Sequence, residues 1–391
     1  MTTGSGVPPR HHGTRHDDRL PVELVAALDR SLHVAPPDPR NTARPLRRRL
    51  AWATLASIIV GVLIALGGFM FLLGQLGGGP FDLLAPAPGD DREQSLQAEL
   101  ITTLPDGVEP TTLSGGPKGG AYLIDAGDGT VWRVNTGTGK AFAIVQPGDR
   151  PQGSNDAIGR PAQLADAGDE IVIVDDDGRL WRWQQENRKG AGTLSALQLS
   201  EGSTLPRGHG PLTAYVPAVG DYRLYVVDPA ADRILRYQQM FGGGAFLPPS
   251  AYIERPDASV DAIDQLYLDF DLYALAGNEI QRYQYGRRDW MWRPEDIGGT
   301  DYRLLTGSGR QSNDGRLYLY DAAGERIVGL RKAGGSALAR WQVVDGSMAD
   351  VRGMYVIEGG LNKRGERRND TLVWVTPSGL HQARLRAPSE R

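Results

Sequence analysis

Few residues in this chain carry the side chains that enzymes use as nucleophiles or general bases. The 391 residues include no cysteine, and only two of the six histidines, His209 and His381, lie beyond residue 98. The sequence also lacks the Gly-x-Ser-x-Gly pattern that exposes a nucleophilic serine on a strand-to-helix turn. Because nucleophilic catalysis needs a hydroxyl or thiol activated by a nearby base, the sequence predicts no catalytic residue.

Side-chain oxygens leave one other kind of chemistry open, which is hydrolysis assisted by a metal ion. Carboxylate and amide oxygens are the ligands that calcium prefers, and the candidates are Asn155, Asp156, Asp264 and Asn313. Residues 175–178, Asp-Asp-Asp-Gly, are contiguous rather than spaced like the ligands of an EF-hand, so they indicate a hairpin turn. We therefore expect no metal and no other cofactor, and a calcium-dependent hydrolase is the alternative.

A candidate binding surface stands out more clearly than any catalytic group. Residues 283–293 contain four aromatic residues and three arginines within a connection between strands. Such connections often form binding faces, and aromatic residues and arginine dominate binding energy at interfaces. In the alternative interpretation, the two tryptophans alternate along an outer strand and only pack. The predicted partner-binding patch consists of Tyr285, Arg287, Arg288, Trp290 and Trp292.

The elements that must position these residues follow from a repeated turn-and-strand phrase. In each copy a turn containing glycine or a polar residue leads into a strand, and four of the copies carry arginine at the same strand position. Successive equivalent positions lie 46 to 54 residues apart, and a strand-built period of about 40 to 50 residues is typical of a β-propeller. Six copies predict six blades. The six equivalent positions are Arg133, Arg182, Arg236, Arg282, Gly329 and Gln382.

Each blade is expected to contain four strands, of which the second ends in aspartate before the turn. Sheets between neighbouring blades are covered on both faces, so these strands should be almost continuously apolar. Residues 99–104 precede the first repeat and are predicted to form the outer strand of the last blade, which closes the ring. The second strands are predicted at residues 121–125, 171–175, 224–228, 266–269, 317–321 and 354–357.

An aspartate and an arginine recur at fixed spacing in the first three blades. The aspartate ends the second strand, and the arginine follows seven or eight residues later in the third strand. We expect structural ion pairs or turn caps here, because a ligand site used once would not recur in each blade. The pairs are Asp125 with Arg133, Asp175 with Arg182, and Asp228 with Arg236.

A long apolar segment before the repeats predicts a membrane anchor. Residues 51–76 contain no charged residue and, at about 1.5 Å per residue, can cross a hydrocarbon core about 30 Å thick. Arginines precede the segment and aspartates follow it, so the amino terminus is expected in the cytoplasm and the propeller outside. The predicted domains are a transmembrane helix at 50–76, a Gly/Pro linker at 77–97 and the propeller at 98–387.

The first 49 residues differ in charge from the rest of the chain. They carry nine arginines and five acidic residues, which leaves 34 basic and 42 acidic residues elsewhere. We predict a disordered cytoplasmic tail with a short helix near residues 20–33, whose leucine stripe either lies on the membrane or binds a cytoplasmic partner. The acidic outer part argues against nucleic acid as a partner, because phosphate binding needs clustered Lys and Arg.

The repeat resembles the six-bladed propellers of the NHL and TolB-like superfamily over residues 98–387. The layout is also similar to bacterial membrane-anchored signalling proteins that join a cytoplasmic kinase or phosphatase to an outer propeller. The 49-residue tail is too short for such a domain. The resemblance implies an all-β sensor or scaffold at the cell membrane that binds a ligand or protein without catalysis. Because fold does not fix function, a calcium-dependent lactonase or esterase of the cell envelope and a structural subunit of a membrane complex are the alternatives.

Overall fold

The fold was derived from a computed structural model of the chain. The structure describes residues 93–151, 155–186, 191–200, 205–218, 221–239, 244–253, 260–292, 299–309, 315–360 and 368–386. Within these ranges the regular elements are β-strands and three short 3-10 turns, and the strands form six sheets. The four core strands of each sheet pair antiparallel, as expected for the blades of a propeller.

Twenty-five strands build the six blades, and each blade is written from its inner strand to its outer strand. Blade 1 contains β3 (Pro110–Gly116), β4 (Gly120–Asp125), β5 (Val131–Asn135) and β6 (Ala141–Val145). Blade 2 contains β7 (Pro161–Asp166), β8 (Glu170–Asp175), β9 (Leu180–Gln185) and β10 (Gly192–Ala196). Blade 3 contains β11 (Leu212–Ala218), β12 (Asp221–Asp228), β13 (Arg233–Gln238) and β14 (Ser250–Ala251).

The remaining blades follow the same order, with two additions from the start of the described chain. Blade 4 contains β15 (Ile263–Leu268), β16 (Leu272–Ala276), β17 (Glu279–Gln284) and β18 (Arg287–Trp292). Blade 5 contains β19 (Tyr302–Ser308), β20 (Arg316–Asp321), β21 (Arg326–Arg331) and β22 (Ala337–Val343), with β1 (Glu93–Leu96) parallel to β22. Blade 6 contains β23 (Gly353–Ile357), β24 (Asp370–Thr376), β25 (Gly379–Leu385) and β2 (Glu99–Thr102).

Six hydrophobic clusters lie between the sheets, and each joins two neighbouring blades. Ile124 of blade 1 packs in one cluster with Ile173 of blade 2, and Leu113 of blade 1 packs in another with Val373 of blade 6. The other four clusters join blades 2 and 3, 3 and 4, 4 and 5, and 5 and 6. Because blade 6 packs on blade 1, the ring is closed, and the predicted six-bladed β-propeller is confirmed.

The start of the described chain fastens this ring. Strand β2 pairs antiparallel with β25, and Gln382 donates a side-chain hydrogen bond of 3.0 Å to Glu99. The prediction that residues 99–104 supply the outer strand of the last blade is confirmed for the part that forms β2. Because this pairing joins strands from the two ends of the propeller sequence, it holds the ring closed.

The repeated arginine position is equivalent in all six blades. In every blade it pairs with the residue three positions before the last residue of the second strand, for example Arg133 with Tyr122 and Gln382 with Val373. The same pairing joins Arg182 to Val172 in blade 2. The sequence period therefore identified a true structural equivalence.

Two of the predicted second strands are wrong. Residues 266–269 belong to the inner strand β15 and the turn after it, and residues 354–357 lie in the inner strand β23. The true second strands of these blades are β16 and β24. Inner strands also pack against neighbouring blades, so their apolar character resembles that of second strands, and periodicity alone does not separate the two.

The predicted partners of the repeated arginines are also wrong, for a reason that lies in strand geometry. Arg182 faces Val172, and Asp175 is three residues further along, on the opposite face of the sheet. Glu170 is two residues from Val172 on the same face, and its carboxylate lies 3.5 Å from the Arg182 guanidinium. Asp175 instead accepts hydrogen bonds from the Gly159 and Arg179 backbone amides at 2.9 and 2.8 Å. It therefore caps the turn, which was the alternative to an ion pair.

In the other blades, too, the aspartates have partners other than the predicted arginines. In blade 4, Arg282 forms a buried ion pair of 2.6 Å with Asp271, which precedes the second strand. In blade 1, Asp125 accepts backbone bonds from Glu109 and Gly127 at 3.0 and 2.9 Å, as a turn cap does. In blade 3, Asp228 pairs with Arg233, its direct neighbour across the hairpin, at 2.9 Å.

The predicted tail, its helix near 20–33, the transmembrane helix at 50–76 and most of the linker at 77–97 lie outside the described residues. In the part of the chain that the structure describes, no helix is both long enough and apolar enough to span a bilayer.

Candidate functional site

A cavity of about 770 Å³ lies at the centre of the ring, and we call it the central channel. Its wall is built by the inner strands β3, β7, β11, β15, β19 and β23, one from each blade. Small-molecule sites in proteins usually measure about 300 to 1,000 Å³. The channel therefore has the size of a ligand site, and its position is set by ring closure rather than by any one blade.

The chemistry of the channel wall is one-sided. Four carboxylates line it, those of Asp166, Asp264, Asp269 and Glu358, and no Lys, Arg or His is among its described lining residues. Leucine, valine and threonine side chains cover much of the remaining wall, together with three tyrosines. The surface of the channel is therefore more polar than apolar, with carboxylates at separate points around it.

One of these carboxylates is already neutralised from behind the wall. Lys332, which is fully buried, donates hydrogen bonds to Asp269, to the Tyr267 hydroxyl at 3.2 Å and to the Gly309 carbonyl at 3.1 Å. Its ammonium also lies 4.6 Å from the centre of the Tyr267 ring. A buried charge is tolerated only with such partners, so Lys332 fixes the positions of two wall residues, Tyr267 and Asp269.

Tyr355 is the most enclosed of the tyrosines in the channel wall. Its side chain is 9% exposed, and its hydroxyl has no hydrogen-bond partner among the described residues. Burial raises the pKa of Tyr355 above its ordinary value, and the nearby charge of Asp166 raises it further. The hydroxyl is therefore protonated at neutral pH, and it is enclosed where blades 1 and 6 pack together.

Three of the four calcium candidates are described, and these three do not come together. Asp264 lines the channel, whereas the exposed residues Asn155 and Asp156 lie in the connection between blades 1 and 2 and do not line it. Asn313 lies outside the described residues. No group of three or more His, Asp or Glu side chains in the described part of the chain is arranged to hold a metal ion. The described candidates therefore do not form a shared calcium site.

Neither histidine is among the described residues that line the channel. His209 contacts the Gly210 carbonyl at 2.9 Å through its Nδ1. His381 is buried, stacks on Trp374 with ring centres 5.6 Å apart, and has its Nε2 3.3 Å from the Thr376 hydroxyl. Burial lowers the pKa of His381, and Asp345 partly opposes that shift. The imidazole is therefore neutral at pH 7, as packing in blade 6 requires.

The structure corrects the expected location of the predicted partner-binding patch, because only Tyr285 lies at a turn and the other four residues belong to strand β18 rather than to a connection. Tyr285 is 79% exposed at the β17–β18 turn, and its ring meets the exposed ring of Phe270 edge-on at 6.3 Å. Arg287 is exposed and Arg288 is half-buried on β18. Trp290 and Trp292 lie on the same outer strand, paired with Arg282 and Ile280. A binding role for these residues stays a prediction, and Phe270 is an addition that the sequence did not indicate.

Sequence reasoning missed the residues that give the channel its character, namely Asp166, Tyr355 and Lys332. A signal for one of them exists in the inner strands. A Cβ atom on Gly115 would lie 2.6 Å from the Tyr355 ring. A glycine inside a strand often marks the close approach of another group, so Gly115 indicated a large neighbour without identifying it.

Comparisons with known proteins support no family assignment. Neither the protein-family models nor the curated proteins contain a match to this chain. Solved structures do match, beginning with virginiamycin B lyase from Staphylococcus aureus at 13% identity and a TM-score of 0.43, over 75% of this chain and 100% of that one.

Two other solved structures show similar agreement. A PQQ-bound aldose sugar dehydrogenase from Streptomyces coelicolor matches at 14% identity and a TM-score of 0.45, over 75% of this chain and 99% of its own. A chain of a nidogen/laminin complex matches at 15% identity and a TM-score of 0.43, over 63% of this chain and 84% of its own length. Similarity this low says nothing about function, and the six-bladed fold rests on the chain's own strand pairing.

Proposed function

We propose that this chain is a single-pass membrane protein whose propeller, outside the cytoplasm, binds a ligand or protein partner without catalysing a reaction. The observation that carries the binding role is the central channel, a cavity of about 770 Å³ walled by all six blades. The apolar segment at residues 51–76 and the arginines before it support the anchor and its orientation.

Binding is favoured over hydrolysis by the side chains present. The channel wall offers carboxylates, tyrosines and apolar groups, and its described residues include no His or Cys. The described calcium candidates lie apart, so they lend no support to the hydrolase that the sequence left as the alternative. A rigid cavity that binds without reacting needs only shape and a few placed polar groups, and both are present.

A thermal-shift screen of small molecules on the full-length protein in nonionic detergent tests the binding role. A ligand that binds only the folded state raises the melting temperature. At a ligand concentration of 100 times its Kd, it adds about 2.7 kcal/mol to the free energy of unfolding. We expect such a ligand to act on the unmodified protein and not on Thr112→Trp, which places an indole at the channel wall. Thr138→Trp, in an exposed turn, is the matched control.

The screen also separates the alternatives. Equal shifts in Thr112→Trp and in the unmodified protein would place the binding elsewhere, and the absence of any ligand would count against the proposal. A calcium-dependent rise in melting temperature would favour the hydrolase instead.

The predicted orientation has a simple test because the chain contains no cysteine. Thr138→Cys lies in an exposed turn of blade 1, and Ser31→Cys lies in the tail. In intact cells a membrane-impermeant maleimide should label Thr138→Cys, whereas Ser31→Cys should react only after lysis. The reverse pattern would contradict the orientation, and labelling of both would contradict the anchor.

A further inference from the structure

We propose that one face of the propeller docks on the surface of the lipid bilayer, with Phe270 and Tyr285 among the lipid headgroups. This inference rests on the membrane anchor of the proposed function and adds a second contact with the membrane. Because strands alternate in direction within each antiparallel blade, the turns after the first and third strands lie on one face of the ring. We call it the docking face. The turns after the second strands and the connections between blades lie on the opposite face.

Two exposed aromatic side chains meet on the docking face. Phe270 lies in the β15–β16 turn and is 56% exposed, and Tyr285 lies in the β17–β18 turn and is 79% exposed. Their rings meet edge-on, with centres 6.3 Å apart. Aromatic rings of this kind are enriched where membrane meets water, because they can bury apolar area beside the headgroups. The pair therefore has the chemistry of a bilayer contact.

The backbone holds Tyr285 at this turn against its conformational preference. The turn has two residues, and φ is 50° at Tyr285 and 77° at Gly286. Such turns favour Asn-Gly or Gly-Gly, and a bulky residue with positive φ is an outlier. Backbone strain of this kind persists mainly where a function uses it. Since most of the Tyr285 side chain faces solvent, we infer that a contact outside the chain stabilises it.

The charge beside the aromatic pair suits an anionic surface. Arg287, two residues after Tyr285, is exposed. The two aspartates that flank Phe270 are buried, and each pairs with a buried cation, so they add little negative charge to the surface. Anionic headgroups attract an arginine held close to them.

The opposite face carries charge of the other sign. In blades 1, 2, 3 and 5, the turn between the second and third strands contains an exposed acidic residue. Anionic headgroups repel such residues, so this face would turn away from the bilayer. The four residues are Asp128, Asp177, Asp232 and Glu325.

The tether keeps the propeller close to the membrane. Only residues 77–92 separate the predicted transmembrane segment from β1, and a chain of that length spans at most about 55 Å. Strand β1 runs parallel to β22 and away from the β21–β22 turn, so the chain reaches β1 from the side of the docking face. A short tether gives the bilayer a high effective concentration at the propeller, so a weak contact suffices for docking.

Fluorescence quenching by spin-labelled lipid tests the inference. The chain has no cysteine, so Ala333→Cys on the docking face and Ala323→Cys on the opposite face of the same blade can each carry one bimane label. The full-length protein is reconstituted in vesicles of phosphatidylcholine with about one third phosphatidylglycerol and some lipid that is spin-labelled at the headgroup. We expect strong quenching of the label at position 333 and little quenching at position 323.

Variants of the aromatic pair locate the contact. The double variant Phe270→Ser/Tyr285→Asn removes both rings, and asparagine suits the left-handed turn, so the fold should persist. It should bring quenching at position 333 down to that at position 323. Val344→Ser, at a 67% exposed position on the opposite face, is the matched control and should leave quenching unchanged. Arg287→Gln should lower the ratio of docked to free propeller about fivefold in these vesicles and have no effect in phosphatidylcholine alone.

The outcomes separate this inference from the proposed function. Equal quenching at the two positions, or quenching at position 333 that persists in the double variant, overturns docking through this pair. The anchor stands in either case if the protein still floats with the vesicles after a carbonate wash. If the wash removes the protein, both proposals fall. If the double variant changes only the oligomeric state in detergent, the pair binds a second copy of the chain and docking is overturned.

Discussion

The buried pair of Lys332 and Asp269 makes a strong prediction about stability. Lys332 is fully buried and Asp269 nearly so, and the lysine also donates to Tyr267 and Gly309. Lys332→Met keeps most of the side-chain volume but leaves the carboxylate of Asp269 buried without its cation. Removing one member of a buried pair typically costs about 3 to 5 kcal/mol, so we expect a loss of that size in the free energy of unfolding.

Urea denaturation of the full-length protein, followed by tryptophan fluorescence, measures this loss. The double variant Lys332→Met/Asp269→Asn should lose less than the sum of the single variants, because it removes both charges together. Lys140→Met, at an exposed position, should change stability by less than about 0.5 kcal/mol. A cost below about 1 kcal/mol for Lys332→Met, or strictly additive costs in the double variant, would refute the reasoning.

Three further substitutions test other parts of the structure. Burial keeps His381 neutral by lowering its pKa, so the unfolded chain takes up the proton first as pH falls through about 6.5, and native stability falls with it. His381→Gln should therefore lose less melting temperature between pH 7.5 and pH 5 than the unmodified protein, and parallel curves would contradict this. Gly115→Ala places a Cβ 2.6 Å from the ring of Tyr355 and should cost about 1 to 3 kcal/mol in urea denaturation, whereas an unchanged midpoint would show that the ring moves freely. Asp370→Asn weakens the 2.6 Å hydrogen bond that Asp370 accepts from the Tyr318 hydroxyl across the boundary of blades 5 and 6. We expect it to lower the free energy of unfolding by about 1 to 3 kcal/mol, and an unchanged value would show that this bond does not stabilise the boundary.

The sequence predicted the architecture well because one physical constraint repeats in every blade. Each second strand is covered on both faces, and each third strand carries its repeated residue opposite the same position, so Arg133 and Arg182 could be aligned correctly. The exchange of inner and second strands at 266–269 and 354–357 arose because both kinds of strand are apolar. An inner strand differs from a second strand in that it lines the central channel, which only the closed ring creates.

The channel was much less predictable than the ring. Asp166 and Lys332 are separated by more than half of the propeller sequence, and only the closed ring brings their blades around one cavity. Spacing predicted that Asp175 and Arg182 would meet, but side-chain parity places Glu170 there instead. The pairing of Arg182 with Glu170 could have been predicted from the alternation of side chains along a strand. The residues of the channel wall could not, because only the tertiary fold brings them together.

The anchor and the tail remain predictions from the sequence, because their residues lie outside the described chain. The location of the propeller outside the cytoplasm depends on the anchor and therefore also remains a prediction. The partner-binding role of the Tyr285 patch also remains a prediction. The structure adds an exposed aromatic neighbour, Phe270, to that patch.

Ring closure is the claim on which the channel and its ligand depend, and disulfide formation tests it most directly. Glu99 in β2 lies opposite Gln382 in β25, close enough for a disulfide between paired strands, and the chain has no other cysteine. Under mild oxidation, Glu99→Cys/Gln382→Cys should form an internal disulfide in nearly every molecule, whereas Glu99→Cys/Ala196→Cys, which places the second thiol on the outer strand of blade 2, should not. Cross-linking in the second pair, or its absence in the first, would contradict the closed six-bladed ring.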